Sequence, residues 1–391
     1  MISAAGITDF VASANGQFLL YETPGLVPES PKPRISSGLQ LHLQHSSPST
    51  VCSFMNKLIL SLLAIVLLAA CGSNNAPDVS GIKVNSSIQR FDRDFFSADT
   101  AHLLESLDAV DKKYPYFFTD FIQNIVIGST ADTLHDLPLI LKSYISHTRP
   151  LYDSVQRRFP DLAKTELELR KGFQYVKYYY PNYKLPQVVT YVGLIGDPAV
   201  ALTKEAMAIG LQMYLGKNFS AYNTLEAIDK FPQYISRRFD AQYLTANCLQ
   251  NIAQDIYPDK QGGQSLIEQM IEKGKQWWLA EKFLPGTADS LKTGFTQAQV
   301  DWCKTNEGLI WNNISQNNDI YTTEPVTIQN FIGEAPKTDG MPDASPGNIG
   351  QWIGWRIVQA FAEKNSSLGV QQVLQTDAKK IFEGAKYKPR Q

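Results

Sequence analysis

The run from Met55 to Gly72 constrains this chain more than any other stretch. Lys57 supplies a short basic start, Leu58–Leu68 an apolar centre, and Ala69 and Ala70 small residues ahead of Cys71, which is the layout of a secretory signal. A helix that crosses a bilayer needs about 20 apolar residues. The centre is shorter than that, so removal is expected rather than retention as a span. Leu68-Ala69-Ala70-Cys71 matches the bacterial lipobox, in which small residues admit the chain to the lipoprotein peptidase and the cysteine thiol takes a diacylglyceryl group through a thioether. Cleavage is expected between Ala70 and Cys71, with acyl chains such as palmitate holding the new N-terminus at a membrane.

A signal of this kind works only at the start of a chain. Residues 1–54, with Pro, Ser and Gly clusters and no sustained helical or strand period, therefore read as a non-native or disordered extension, with Met55 as the working start. The expected organisation is a signal peptide over 55–70, a polar tether over 71–84 and a globular body over 85–391. Gly72 is not aspartate, and by the enteric sorting rule this points to the outer membrane.

About 320 residues follow the signal, enough to bury a sizeable core. The full chain carries a net charge of −2. The part expected to be removed holds Lys32, Arg34 and Lys57 against Asp9, Glu22 and Glu29, so the mature charge is unchanged. A nucleic-acid partner usually needs a basic face, and none is evident. Beyond Cys71 the mature chain keeps Cys248 and Cys303. An oxidising periplasm permits a disulfide between them, yet both fall in amphipathic helical patterns, where a free cysteine is a small core residue.

Helical periods dominate. Leu103, Leu104, Leu107 and Val110 share a face behind Asp99, and a long helix is expected from Asp161 through Leu169, Phe173 and Val176 to the stop at Pro181. Ser265…Glu268 and Thr296…Gln299 read as capping boxes. The first opens a helix with Met270, Ile271 and Trp278, the second one with Val300, Ile310 and Ile314. Asp240 caps another helix, with Leu244, Leu249, Ile252 and Ile256 inward. Strand signals sit at Val188–Val192 and in the alternating Ile209–Leu215. The expected fold class is α+β, a mainly helical single domain around a small central sheet.

Catalytic motifs are not found: no His-Glu-x-x-His, no Gly-x-Ser-x-Gly, no Cys-x-x-Cys. Gly210–Asn218 has the glycines of a phosphate loop at the wrong spacing and lacks its Ser/Thr, so it reads as a strand. His102, His135 and His147 lack companions at ligand spacing and read as surface residues, and neither a metal nor a cofactor is expected. Two stretches could meet a partner. Tyr178, Tyr179 and Tyr180 stand in an aromatic and basic run from Phe173 to Lys184, which reads either as a contact surface or as a helix end packed on the core. The turn-rich loop Gly333–Asn348, with Asp339 and Asp343, leads into a helix carrying Trp352, and such loops often carry function. In that helix Gly350 and Gly354 stand four apart, which permits close packing against a neighbour.

Ile88–Phe96 with Arg90, Phe91 and Asp92, Ile209–Gly216, Pro346–Val358, and Thr376–Phe382 followed by Lys386–Pro389 together resemble the gliding-motility lipoprotein GldB family of Bacteroidota. The resemblance runs over residues 55–391. It implies an envelope lipoprotein needed for surface gliding, with no assigned catalytic activity and with other gliding or type 9 secretion envelope proteins as partners. A fainter similarity to small zinc-dependent peptidase domains implies a degenerate zincin-like fold that has lost its metal site. The leading expectation is a non-enzymatic component of the gliding machinery, anchored by Cys71 and facing the periplasm. The alternatives are an envelope hydrolase of metallopeptidase descent and a peptidoglycan- or glycan-binding lipoprotein.

Overall fold

Val188, Val189 and Thr190 are β-branched and favour extended backbone, and they form the middle of a four-stranded sheet. The computed structural model describes residues 76–128, 136–260, 264–317 and 320–389. Cys71, Ala70, the signal segment and His135 lie outside the described residues. The strands are β1 (Ile88–Gln89), β2 (Gln187–Tyr191), β3 (Val200–Leu202) and β4 (Ala206–Gly210), in the order β1-β2-β4-β3. β1, β2 and β4 run parallel and β3 runs antiparallel to β4. Val188 pairs with Met207 and Thr190 with Ile209.

Helices pack around this sheet and make up most of the body, the α+β arrangement expected. They include α1 (Phe91–Phe96), α2 (Leu103–Lys113), α3 (Leu137–Arg158), α4 (Ala163–Tyr179), α5 (Leu244–Ile256), α6 (Leu266–Phe283), α7 (Gln297–Thr305), α8 (Glu307–Asn317), α9 (Pro325–Ile332), α10 (Ile349–Lys364) and α11 (Ala378–Ala385). The core is continuous from Phe91 and Phe95 through the sheet to Trp352 and Ile381.

Several local rules work as expected. Ser265 N–H donates to Glu268 at 2.9 Å to open α6, and Thr296 and Gln299 exchange bonds of 3.0 and 3.2 Å to open α7. Asp240 accepts from Gln242 N–H and caps a 3-10 turn, Ala241–Tyr243, that leads into α5. Ile256 ends that helix half-buried rather than inward.

Other expectations change. The strand expected over Ile209–Leu215 lies instead at Ala206–Gly210 and then tightens into a 3-10 turn, Leu211–Met213. Every residue of β4 is buried, so this central strand reads as an apolar run without alternation. The single helix expected behind Thr296 is two, α7 and α8. Asn306 breaks it, its side chain donating back to Trp302 O at 2.9 Å in competition with the backbone. Leu104 is 56 % exposed, because the 3.6-residue period aligns Leu103, Leu107 and Val110 and leaves Leu104 at the margin. Within the stretch expected as a tether, Val79 is buried in the core and Ile82 O accepts from Gln174.

Cys248 and Cys303 are free and buried. Burial pushes both thiols up, that of Cys303 to about 12. Thiolate is the reactive form, so neither should react with a maleimide in native protein and both should react in denaturant. Mass spectrometry of labelled native protein checks this, and prompt labelling of either cysteine would contradict the burial.

Candidate functional site

Asn247, Gln250 and Gln254 share a face of α5, and Tyr243 at its N-cap continues the same stripe, because the four stand four, three and four apart. Lys273, Gln276 and Trp277 form a second such stripe on α6. These faces, together with Asn348 and Gln351 at the start of α10, line a cavity of about 250 Å³. Leu291, Lys292, Thr293 and Gly294 complete one side, with Arg238 and Glu334 at another.

The backbone that presents Asn348 is unusual and explains the Pro-Gly-Asn run. Asn348 has φ +44, a left-handed conformation that asparagine tolerates better than most residues. A Cβ on Gly347 would meet Ala335 O at 2.2 Å, so only glycine lets the two segments touch. Thr338 donates to Pro346 O at 2.8 Å from a fully buried position. The loop base is therefore held rigidly against the body.

Each cation in the wall already has a carboxylate. Arg238 reaches Glu334 with bonds of 3.1 and 3.2 Å, Lys273 meets Asp259 at 2.6 Å and Lys292 meets Asp289 at 2.8 Å. Lys292 and Lys304 hold the Asp289 carboxyl below the usual carboxylate range despite its burial. The cavity is polar and close to charge-balanced, and its aromatic side is Trp277, edge-packed on Phe295 and Trp355.

The residues singled out from sequence fall elsewhere. Trp352 is fully buried against Phe295 and Trp355, which removes it from any partner surface. Its inward position follows from the apolar face of α10 that also buries Ile353 and Ile357. Tyr178 is 47 % exposed, whereas Tyr179 and Tyr180 are half-buried and Tyr180 packs on Phe283. Phe173 and Tyr175 are core residues, and Tyr183 donates to Asp255 at 2.7 Å. The aromatic run is therefore mainly a packed helix end with one tyrosine outward. Asp339 and Asp343 are exposed at the tip of their loop, Asp343 paired with Lys337. His102 and His147 are on the surface. Among the described residues, no group of three or more His, Cys, Asp or Glu side chains is placed to hold a metal.

Fold and site together define a mainly helical α+β protein with a mixed four-stranded sheet and a polar, amide-lined cavity between three helices. Residues 72–389 match the family of gliding motility protein GldB, and the chain belongs to that family. No curated protein and no solved structure matches it. The family is one of lipoproteins associated with gliding motility. No helix among the described residues is long and apolar enough to cross a membrane.

Proposed function

We propose that this chain is a lipid-anchored envelope protein that serves the gliding machinery by holding other proteins of the envelope, without catalysis of its own. The observation that carries the reading is the family match over 72–389, which begins one residue past Cys71. Acyl chains on Cys71 contribute about 0.8 kcal/mol per buried methylene, and several chains together give stable anchoring. The anchored body would then face the periplasm from the outer membrane, where gliding and type 9 secretion components are its partners.

Three side chains suited to nucleophilic chemistry, two cysteines and a lysine, are committed to structure among the described residues, which supports a non-enzymatic role. Cys248 and Cys303 are buried with raised thiols. Lys275 is wholly buried, donating to Glu272 and Thr376 O at 2.7 Å each.

Deleting the gene in a gliding host is expected to abolish colony spreading, and the wild-type gene to restore it. Cys71→Ser should fold normally, move from the membrane to the soluble fraction, and fail to restore spreading. Undiminished spreading in the deletion strain, with normal export of surface adhesins, would defeat the motility role. A Cys71→Ser protein that stays wholly with membranes would defeat the anchor.

A further inference from the structure

We propose that the cavity between α5, α6 and the start of α10 binds a neutral sugar unit, with amide oxygens accepting from its hydroxyls and Trp277 stacking on its ring. Three amides of the wall are oriented by partners that can only accept. Gln351 donates to Ile332 O at 2.6 Å, Gln276 to Tyr257 O at 3.2 Å and to Asp259 at 2.6 Å, and Gln250 to Lys292 O. A carbonyl or carboxylate cannot bond an amide oxygen, so the orientation of each side chain is forced. The NH2 end is taken up by the protein, and the oxygen is the amide atom that each of these three cavity-lining residues keeps for a ligand in this proposal. None of the three oxygens is a buried polar atom left without a partner. Gln254 also lines the cavity and is exposed.

A wall rich in acceptors selects a ligand rich in donors. Charge then narrows the class. Arg238, Lys273 and Lys292 are each matched by Glu334, Asp259 and Asp289, so neither a phosphate nor an ammonium group would find an unbalanced counter-charge. A neutral polyol would, by contrast, satisfy the oxygens through its hydroxyls and accept from the lysine and arginine N–H groups that remain. Trp277, held between Phe295 and Trp355, offers a fixed aromatic surface to the apolar C–H face of a ring. The volume of about 250 Å³ is just below the ~300–1,000 Å³ of drug-sized sites and suits one ring rather than an oligomer. The proposal is independent of the anchor at Cys71 and of the gliding role.

The test is titration of the full-length protein in detergent with glucose, mannose and N-acetylglucosamine, read by saturation-transfer NMR. Inorganic phosphate and glycine serve as charged competitors. At least one sugar should bind saturably with Kd of about 1 mM or tighter, uncompeted by phosphate or glycine. Gln351→Met should weaken it about tenfold. Gln254→Ala, an exposed change without risk to the fold, should weaken it measurably, and the distant Tyr178→Ala should leave it unchanged. Absence of saturable sugar binding in the millimolar range overturns the proposal, as does displacement by phosphate or glycine. Sugar binding that survives both glutamine substitutions also overturns it.

Discussion

Gly354→Ala is expected to destabilise the protein by about 3 kcal/mol or more, the upper end for overpacked sites, and to lower Tm by roughly 5 °C or more. Helix α10 crosses α6 so closely that a Cβ on Gly354 would lie 1.7 Å from Met270 O and 2.4 Å from Met270 C. The facing Gly274 is bound to the same crossing, since its Cβ would meet Gly354 C at 2.2 Å. Both obstacles are backbone, which cannot rotate away. Alanine favours a helix over glycine by about 1 kcal/mol, so intrinsic propensity pushes the other way and loses. Gly350→Ala is the internal comparison. Its closest neighbours are Phe331 O at 2.9 Å and the flexible Met270 side chain at 3.1 Å, so its cost should be markedly smaller. Urea unfolding of both variants checks this, and equal stabilities would mean that the helices stand farther apart.

The second large effect is expected at Asp92. This carboxylate is fully buried behind the sheet and accepts from Arg90 at 2.9 and 2.8 Å, from Gln156 at 2.8 Å and from Thr190 at 2.5 Å. Arg90 in turn donates to Phe159 O at 3.0 Å. The network therefore ties α1 to β2 and to the end of α3. Asp92→Ala leaves a guanidinium, an amide and a hydroxyl facing an empty site and should cost about 3–5 kcal/mol, as breaking a buried ion pair usually does. Replacing both partners, Arg90→Met with Asp92→Leu, removes the charge left alone and should cost less than Asp92→Ala by itself. Denaturant midpoints of the three proteins decide it. A double variant less stable than Asp92→Ala would show that the pair contributes more than its desolvation takes away.

Much of the helical framework was legible because its signals are local. Ser265 and Glu268 meet across one turn, and Pro181 stops α4 close behind Tyr179, whatever the rest of the chain does. Strand β4 was displaced because burial on both faces erases alternation, leaving Ala206–Gly210 without a period to read. Trp352 was misjudged for a related reason. A tryptophan after a turn-rich loop looks available, and only the helix packed over it shows that it is not.

The cavity residues were passed over although part of their signal was present. Tyr243, Asn247, Gln250 and Gln254 form a polar stripe at helical spacing, which by itself is the ordinary solvent face of an amphipathic helix. What gives that stripe meaning is the second one at Lys273, Gln276 and Trp277 and the start of α10 about 70 residues further along the chain. Sequence alone determined the capped helices, the α+β class and the resemblance to the GldB family, because each rests on neighbouring residues or on strings that can be compared directly. Tertiary structure alone decided which helix faces meet, that Gly354 sits against Met270, and that amides from three separate segments line one cavity. Spacing along a helix says which residues share a face, whereas the partner of that face is set by packing between segments distant in the chain.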